Sequence, residues 1–588
     1  MSATADAAAR DRFEARRAVG ATGLLREFNE IGVLSAADVH VATRLGELVG
    51  EDRDPVRLAV ALAVRGPRLG HVFVDLATVR ETATVESDEP VDLSGLPWPA
   101  VDEWVRELGA SELVAAGEDG EPAPLRLLGT RLYLDRYWRE ERAVAADLNE
   151  LTASGRLLVI AGGPGTGKTT QVARMVAEVI ESAGTGSHPP PRPPLIALAA
   201  PTGKAAARLQ EAVHEETVRL PVGDSVRALL MRLRASTLHR LLGWRPGSHS
   251  RFAHDRGNRL PHDVVIVDET SMVSLSLMAR LVEAVRPDAR LILVGDPGQL
   301  TSIEAGVVLA DIVNSGAHPP GGGIVVLDRV HRYGGGIARL AEAIRRGDGD
   351  AAVAALGSAP DEVTWLQTDV QETGAELGLV RERAVAAGGE VLAAARAGAG
   401  IDALAALGRF RLLCAHRRGP YGVSDWTSRV LAWLAGELEG VDVDHRDYVG
   451  RPLLVTENDY ELGLYNGDTG VIVPGPGGRP TAAFERGGEL LHFSPLRLGA
   501  VDTVYAMTIH KSQGSQFDTA AVLLPAASSR ILTRELLYTA VTRARRELIL
   551  VGTEDAVRHA VARPVARASG LRERLWGEAI PDARTRRP

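Results

Sequence analysis

Lysine is almost absent from this 588-residue chain. Only Lys168, Lys204 and Lys511 stand among 67 Lys+Arg, so arginine carries nearly all of the positive charge. Cysteine is scarcer still. The single Cys414 excludes a disulfide framework, a Cys-rich zinc site and an iron–sulfur cluster held by this chain alone. It lies in the apolar run RFRLLCAHR, which reads as a buried strand, so it is expected to be a small core residue. No apolar run approaches a membrane span, and the N-terminus MSATADAAARDRFEARR has no apolar core of signal-peptide length. A cytoplasmic protein is expected. The net charge of −9 excludes a basic coat, so any nucleic-acid contact must be a local groove.

What is present is a length that demands several domains and an ordinary globular composition, 45% hydrophobic and 24% charged. Residues 1–140 show helical apolar spacing in GLLREFNEIGVL and DPVRLAVALAVRG and carry no catalytic pattern, which predicts a mainly helical accessory domain that docks a partner. From about residue 150, continuous apolar runs alternate with helical stretches: RLLVIAG, PLIALAAP, DVVIVDE, ARLILVGDP and GIVVLD. A second series follows in FRLLCAH, TVYAMTIH, TAAVLLP and RELILVG. Runs of this kind suit parallel strands buried on both faces. The expected fold class is α/β with two parallel-sheet domains, 141–335 and 336–588. Residues 242–263 read as a hairpin-like excursion, and 448–500 as a small β insertion in the second domain.

GGPGTGKTT fits the phosphate-loop pattern from Gly162 to Thr169, between a strand and a helix. Gly162, Gly163, Gly165, Thr166, Gly167 and Thr170 would shape a cradle of backbone N–H groups at a helix N-terminus. Lys168 would reach the β/γ-phosphates of ATP, and Thr169 would ligate Mg²⁺. A chance Gly-rich turn would not need both flanks. VVIVDETSM ends an apolar strand in two acids. Asp268 is placed on Mg²⁺ and Glu269 on the attacking water. In LVGDPGQL, Gln299 could sense the γ-phosphate. Arg332 and Arg543 are candidates to neutralise the transferring phosphoryl group, although either taken alone reads more readily as a surface charge.

The ordered set GGPGTGKTT, APTGKAAARL, STLHRLLG, VDETSM, GDPGQL, RVHR, AMTIHKSQGSQFD and YTAVTRA resembles the motif series of superfamily-one DNA helicases. Within these, GLYNGDTGVI and TRELLYTAVTRARREL resemble the RecD family, the motor subunits of RecBCD-type exonucleases (exodeoxyribonuclease V). The resemblance implies two RecA-like P-loop domains, ATP and Mg²⁺ as cofactors, and 5′→3′ helicase movement on single-stranded and end-containing duplex DNA. It also implies RecB-like and RecC-like partners in a heterotrimer, with nuclease activity only through those partners and a role in double-strand-break repair by recombination. The roles of Lys168, Thr169, Asp268, Glu269, Gln299, Arg332 and Arg543 carry over position by position. Pro201, Thr202, Lys204, Thr237 and His239 match first-domain DNA motifs, and Thr508, His510, Lys511, Ser512 and Gln513 match a second-domain motif between DNA and nucleotide. The resemblance also places a strand-separating pin at 242–263 and a small β-barrel at 448–500. Gln516 stands where many relatives have glutamate and is expected to bond the ribose. Residues 135–163 contain no glutamine of the kind that reads adenine in relatives. A stand-alone RecD-like helicase and a non-motor ATP switch are the competing readings.

Overall fold

The computed structural model describes residues 16–85, 91–184, 192–245, 251–313, 323–327, 335–359, 361–371, 375–439, 441, 447–459, 461–486 and 489–577. Arg332 and the tip of the 242–263 excursion, residues 246–250, lie outside them.

The N-terminal region is mainly helical: α1 (Gly23–Glu30), α2 (Ala36–Val49), α3 (Asp54–Arg65), α4 (Val79–Thr82) and α5 (Val101–Gly109). Its core is built on α3, where Val56 and the whole run from Leu58 to Ala63 are buried. It is not helical alone. Short strands β1 (Phe73–Asp75), β2 (Val114–Ala116), β3 (Leu125–Leu128) and β4 (Arg131–Leu134) form a four-stranded sheet in the order β1-β4-β3-β2. Two of these strands are only three residues long, too short to leave a period in the sequence.

Helix α6 (Asp135–Ala153) then fills the connection to the phosphate loop without a break. The first α/β domain follows: β5 (Leu157–Gly162), α7 (Lys168–Gly184), β6 (Ile196–Ala200), α8 (Gly203–Arg219), α9 (Asp224–Arg232), β7 (Ala235–Thr237), α10 (Leu238–Leu241), β8 (Val264–Val267), α11 (Leu275–Ala284), β9 (Arg290–Gly295), α12 (Val308–Val313) and β10 (Ile324–Leu327). Its strands form one parallel sheet, β10-β5-β9-β8-β6-β7. All four residues of β8 are buried, as a strand covered by helices on both faces requires. Trp244 and Phe252 pair in an isolated antiparallel bridge at the base of the excursion.

The second α/β domain contains α13 (Gly335–Arg346), α14 (Gly349–Gly357), β11 (Val363–Leu366), α15 (Gly378–Arg396), α16 (Gly400–Leu407), β12 (Phe410–Cys414) and α17 (Val423–Glu437). Strands β13 (Pro452–Val455), β14 (Thr469–Pro474), β15 (Pro480–Arg486), β16 (Glu489–Phe493) and β17 (Val501–Thr503) interrupt it before β18 (Ala506–Thr508), β19 (Phe517–Leu523), α18 (Arg534–Val541), β20 (Ala544–Val551) and α19 (Glu554–Ala562). The domain's own sheet is parallel, β11-β20-β19-β12-β18. Cys414 is buried on β12.

Two expectations change here. The 448–500 segment is an antiparallel sheet, β16-β15-β14-β13-β17, whose end strands do not pair with each other. Among the described residues it is an open sheet rather than a closed barrel, and it runs on to Thr503. The boundary 336–588 also fails at its far end. Helix α20 (Leu571–Trp576) packs on α6 and α12, and Leu571 is wholly buried in the first domain's core. The stretch leading to it is a strap across three domains. Val565 N–H donates to Glu535 of α18, and Arg567 donates to the carbonyls of Glu304 and Gly306 in the first domain. In the N-terminal domain, His71 Nδ1 accepts from Ala568 N–H and Arg131 pairs with Glu573. Buried Glu141 on α6 accepts from Gly570 N–H and Arg574.

Candidate nucleotide cleft and nucleic-acid cavity

In an open parallel sheet, ligands meet the loops beyond the carboxyl ends of the strands. Here the ends of β5, β8 and β9 deliver the phosphate loop, Asp268–Glu269 and Asp296–Gln299 to one edge. A Cβ on Gly162 would lie 2.6 Å from Thr166 Oγ1 and 2.9 Å from the Leu327 carbonyl, so only glycine fits. Gly165 and Gly167 have φ of 81° and 88°, which glycine adopts without cost. Thr166 Oγ1 donates to the Gly163 carbonyl at 2.9 Å, and Lys168 Nζ donates to the Gly162 and Gly163 carbonyls at 2.5 and 2.9 Å. Lys168, Thr169 and Thr170 form the first turn of α7, where unpaired N–H groups favour an anion.

Asp268 Oδ1 accepts its neighbour's N–H at 2.8 Å. Burial pushes its carboxyl up to about 6; the Glu269 charge adds to this and Lys168 opposes it. Glu269 has φ 51°, and no other described non-glycine residue has a positive φ. Strain of this kind persists only where surrounding structure holds it.

Gln299 is buried between two partners. Its Nε2 donates to Asp296 Oδ2 at 3.0 Å, and its Oε1 accepts from Arg543 Nη2 at 3.1 Å. Arg543 comes from the second domain and is itself 2% exposed, donating also to the Thr539 and Ser515 carbonyls. Asp296 was not singled out by sequence reasoning. It is buried, its carboxyl is pushed up by that burial, and it also accepts from Tyr538 of α18. The signal was available, since Asp296 follows β9 as Asp268 follows β8. Tyr538 reaches the phosphate loop itself, because a Cβ on Gly163 would meet its hydroxyl at 2.8 Å. Leu300 is bracketed from the second domain. Its N–H donates to Thr539 Oγ1 and its carbonyl accepts from Gln513 Nε2. Lys168, Thr169, Asp268, Glu269, Gln299, Gln516 and Arg543 all line one cavity of about 130 Å³.

A second cavity, about 1310 Å³, lies between the first domain and the inserted sheet. Lys204, Thr237 and His239 line it, with Tyr465, Asp468 and Arg486 opposite. Seven cationic and four carboxylate side chains face it, an excess of positive charge in an acidic chain. Arg208, Ala212, Gly514 and Gln516 line both cavities. Arg208, also missed in the sequence, donates to the Gly514 carbonyl at 2.9 Å and to Gln516 Oε1 at 3.0 Å.

Other residues of the DNA motifs are placed differently. Thr202 caps α8, Thr237 caps α10, and Pro201 directly follows β6. Thr508 is buried and accepts from Lys511 N–H, while Ser512 is fully buried and donates to the Ile509 carbonyl. Neither residue lines the large cavity: Thr508 ends β18, and Ser512 lies in the 3₁₀ turn His510–Ser512 that follows. Gln513 is a contact between domains, and Lys511 is exposed. Burial pushes His510 down to about 4, with Arg567 and Arg417 adding to the shift.

A phosphate loop, two strand-end acids, a buried glutamine and an arginine supplied by a second parallel-sheet domain define a P-loop motor of the superfamily-one helicase class. The AAA domain family matches residues 145–367, the UvrD-like helicase C-terminal domain matches 503–551, and the N-terminal domain of RecBCD enzyme subunit RecD matches 30–133. The chain is 50% identical over 582 residues to RecBCD enzyme subunit RecD of Mycolicibacterium smegmatis, covering 94% of this chain and 99% of that protein. It is 50% identical over 588 residues to the same subunit of Mycobacterium tuberculosis. It is 31% identical over 433 residues to the ATP-dependent RecD2 DNA helicase of Deinococcus radiodurans, covering 73% of this chain and 52% of that protein. A Bacteroides Pif1 structure bound to ssDNA overlays with a TM-score of 0.35 and 17% identity, covering 70% of this chain and 91% of that one. The chain belongs to the RecD family.

Proposed function

We propose that this chain is the ATP-driven 5′→3′ DNA helicase subunit of a RecBCD-type helicase–nuclease, working with RecB- and RecC-like partners on DNA ends in recombinational repair. The observation that carries the reading is the two-domain cleft, where Lys168, Asp268 and Glu269 of one domain share a cavity with Arg543 of the other. The direction of movement and the partners rest on the family; cleavage is assigned to the partner chains. The chain is 50% identical to the M. smegmatis subunit and 31% identical to the D. radiodurans helicase, which favours the subunit over the stand-alone reading.

In this reading the phosphate-loop amides and Lys168 hold the nucleotide's phosphates. The donor set fits Mg²⁺: Thr169 and Asp268 would hold it together with phosphate oxygens, and the ion would supply charge neutralisation there. Among the described residues no group of three or more His, Cys, Asp or Glu forms a separate metal site. Glu269 orients the attacking water and takes its proton. Arg543 neutralises charge developing on the phosphoryl group, and Gln299 ties that arginine to Asp296 in the first domain. Arg332 is assigned a parallel role from its motif alone. Opening and closing of this interface would alternate the grip on a strand in the cation-rich cavity, through Lys204, Thr237 and His239.

The test is ATPase with and without single-stranded DNA, and unwinding of 5′- and 3′-tailed duplexes, alone and with RecB- and RecC-like partners. Lys168→Ala should abolish both activities. An ATPase that ignores DNA even with partners present would sink the motor reading.

A further inference from the structure

The cavity that holds Lys204 also holds Arg411, and the two belong to different motor domains. Arg411 lies on β12 and is 2% exposed. Its Nη1 donates to the Val504 carbonyl and its Nη2 to that of Leu407, while Nε has no partner. The Phe517 ring centre lies 5.2 Å from its guanidinium carbon. Among the described residues no carboxylate forms a salt bridge with it. Lys204, in the first turn of α8, likewise has no salt bridge among the described residues. The carboxylate acting on it is Asp468, which already accepts from Tyr465 N–H at 2.8 Å and lies 3.7 Å from Arg486. Burial pushes the Lys204 ammonium down to about 8, and the nearby Arg411 charge pushes the same way.

Two cations of different domains, Arg411 buried and Lys204 half-buried, therefore line one cavity, and among the described residues neither has a salt bridge. Such charges are costly when uncompensated, and they repel. A phosphodiester would neutralise both and turn repulsion across the boundary into attraction. We infer that Lys204 and Arg411 form a two-domain clamp on one phosphate of a single strand, and that without the strand their repulsion holds the nucleotide cleft back from turnover. This rests on the helicase reading above. The path to the cleft is short: Arg208, one helical turn beyond Lys204 on α8, bonds Gly514 and Gln516 in the wall shared by both cavities.

The test uses the full chain with oligo-dT and the variants Lys204→Gln, Arg411→Gln, Arg411→Lys and the double Gln variant. Each single Gln variant should raise DNA-independent ATPase by about fivefold, with DNA stimulation reduced by the same factor. Measured without nucleotide, the salt slope of oligo-dT affinity should become shallower by about 0.7, one lost phosphate contact. The double variant should match either single variant, because one phosphate is shared. Arg411→Lys keeps the charge and should restore most of the DNA stimulation that Arg411→Gln loses. Unchanged basal turnover in both folded single variants, or fully additive effects in the double, would overturn the clamp. If Arg411→Gln does not fold, Lys204→Gln decides: an unchanged basal rate and salt slope overturn it. Wild-type ATPase that ignores DNA is a different result, and strikes at the helicase reading itself.

Discussion

Glu269 offers a prediction that separates chemistry from backbone strain. Its φ of 51° and ψ of 39° lie in the left-handed region. For a non-glycine residue that conformation costs about 1–2 kcal/mol. Glu269→Gln keeps the strain and removes the carboxylate, whereas Glu269→Gly removes both. Both relieve the Glu269 charge that helps push Asp268 upward, so comparing them isolates the backbone. Glycine loses more backbone freedom on folding, which offsets about 0.5–1 kcal/mol. The glycine variant should therefore be more stable than the glutamine variant by about 0.5–1 kcal/mol, or roughly 2 °C for a unit of this size. Both should lose hydrolysis by about 10²–10⁴-fold with nucleotide affinity retained. Single-turnover hydrolysis, nucleotide titration and thermal melts read these out. A glutamine variant hydrolysing within tenfold of wild type refutes the water-activating role (about 1.4 kcal/mol is the whole effect then allowed). A glycine variant that melts below the glutamine variant refutes the strain.

Three further outcomes are expected. Arg543→Lys should lower DNA-stimulated ATPase by about 10³-fold while leaving oligo-dT affinity unchanged, since Arg543 lines only the smaller cavity. Lys511→Ala should leave the melting temperature unmoved, because the residue is exposed, while making the salt slope of single-strand affinity shallower by about 0.7. The strap should carry two opposed pH responses, read by hydrogen exchange at α20. His71 is pushed down to about 4, chiefly by burial, so its contribution is present above an ordinary imidazole pKa and is lost as pH falls from about 6.5 toward 4. Asp311, which accepts from Ser569, is pushed up to about 7, again chiefly by burial, so its contribution is present at low pH and lost as pH rises from about 4 through 7. Asp311→Asn should therefore make the strap acid-labile, and His71→Asn should make it better protected as pH falls. Identical profiles in both variants would contradict these assignments.

The motor sheets were legible because strands buried on both faces leave unbroken apolar runs: DVVIVDE became β8 and TAAVLLP became β19 within a few residues. The residues gathered at the smaller cavity were legible because phosphate chemistry requires fixed residue types next to such strands. Direction was not legible. Ser512 and Gln513 have suitable side chains, but the turn at His510–Ser512 aims one into the core and the other at Leu300. Arg411 sat inside FRLLCAH, and a charge within an apolar strand was the missed sign of the large cavity. The strap was invisible for another reason. Arg131 and Glu573 are 442 positions apart, and ASGLRERLW has no period that announces what it will cover.

That strap also bears on how the protein is made. Leu571 fills a core otherwise assembled from residues 72–312, so the first motor domain cannot complete its packing until the last turns of the chain have been synthesised. Domains emerging from a ribosome ordinarily fold in order, N-terminal first. Here the earliest motor domain must wait, partly formed, while the whole second domain is translated. A nascent chain stopped before Leu571 should hold a first domain that protease readily cuts, and release of the full chain should close it.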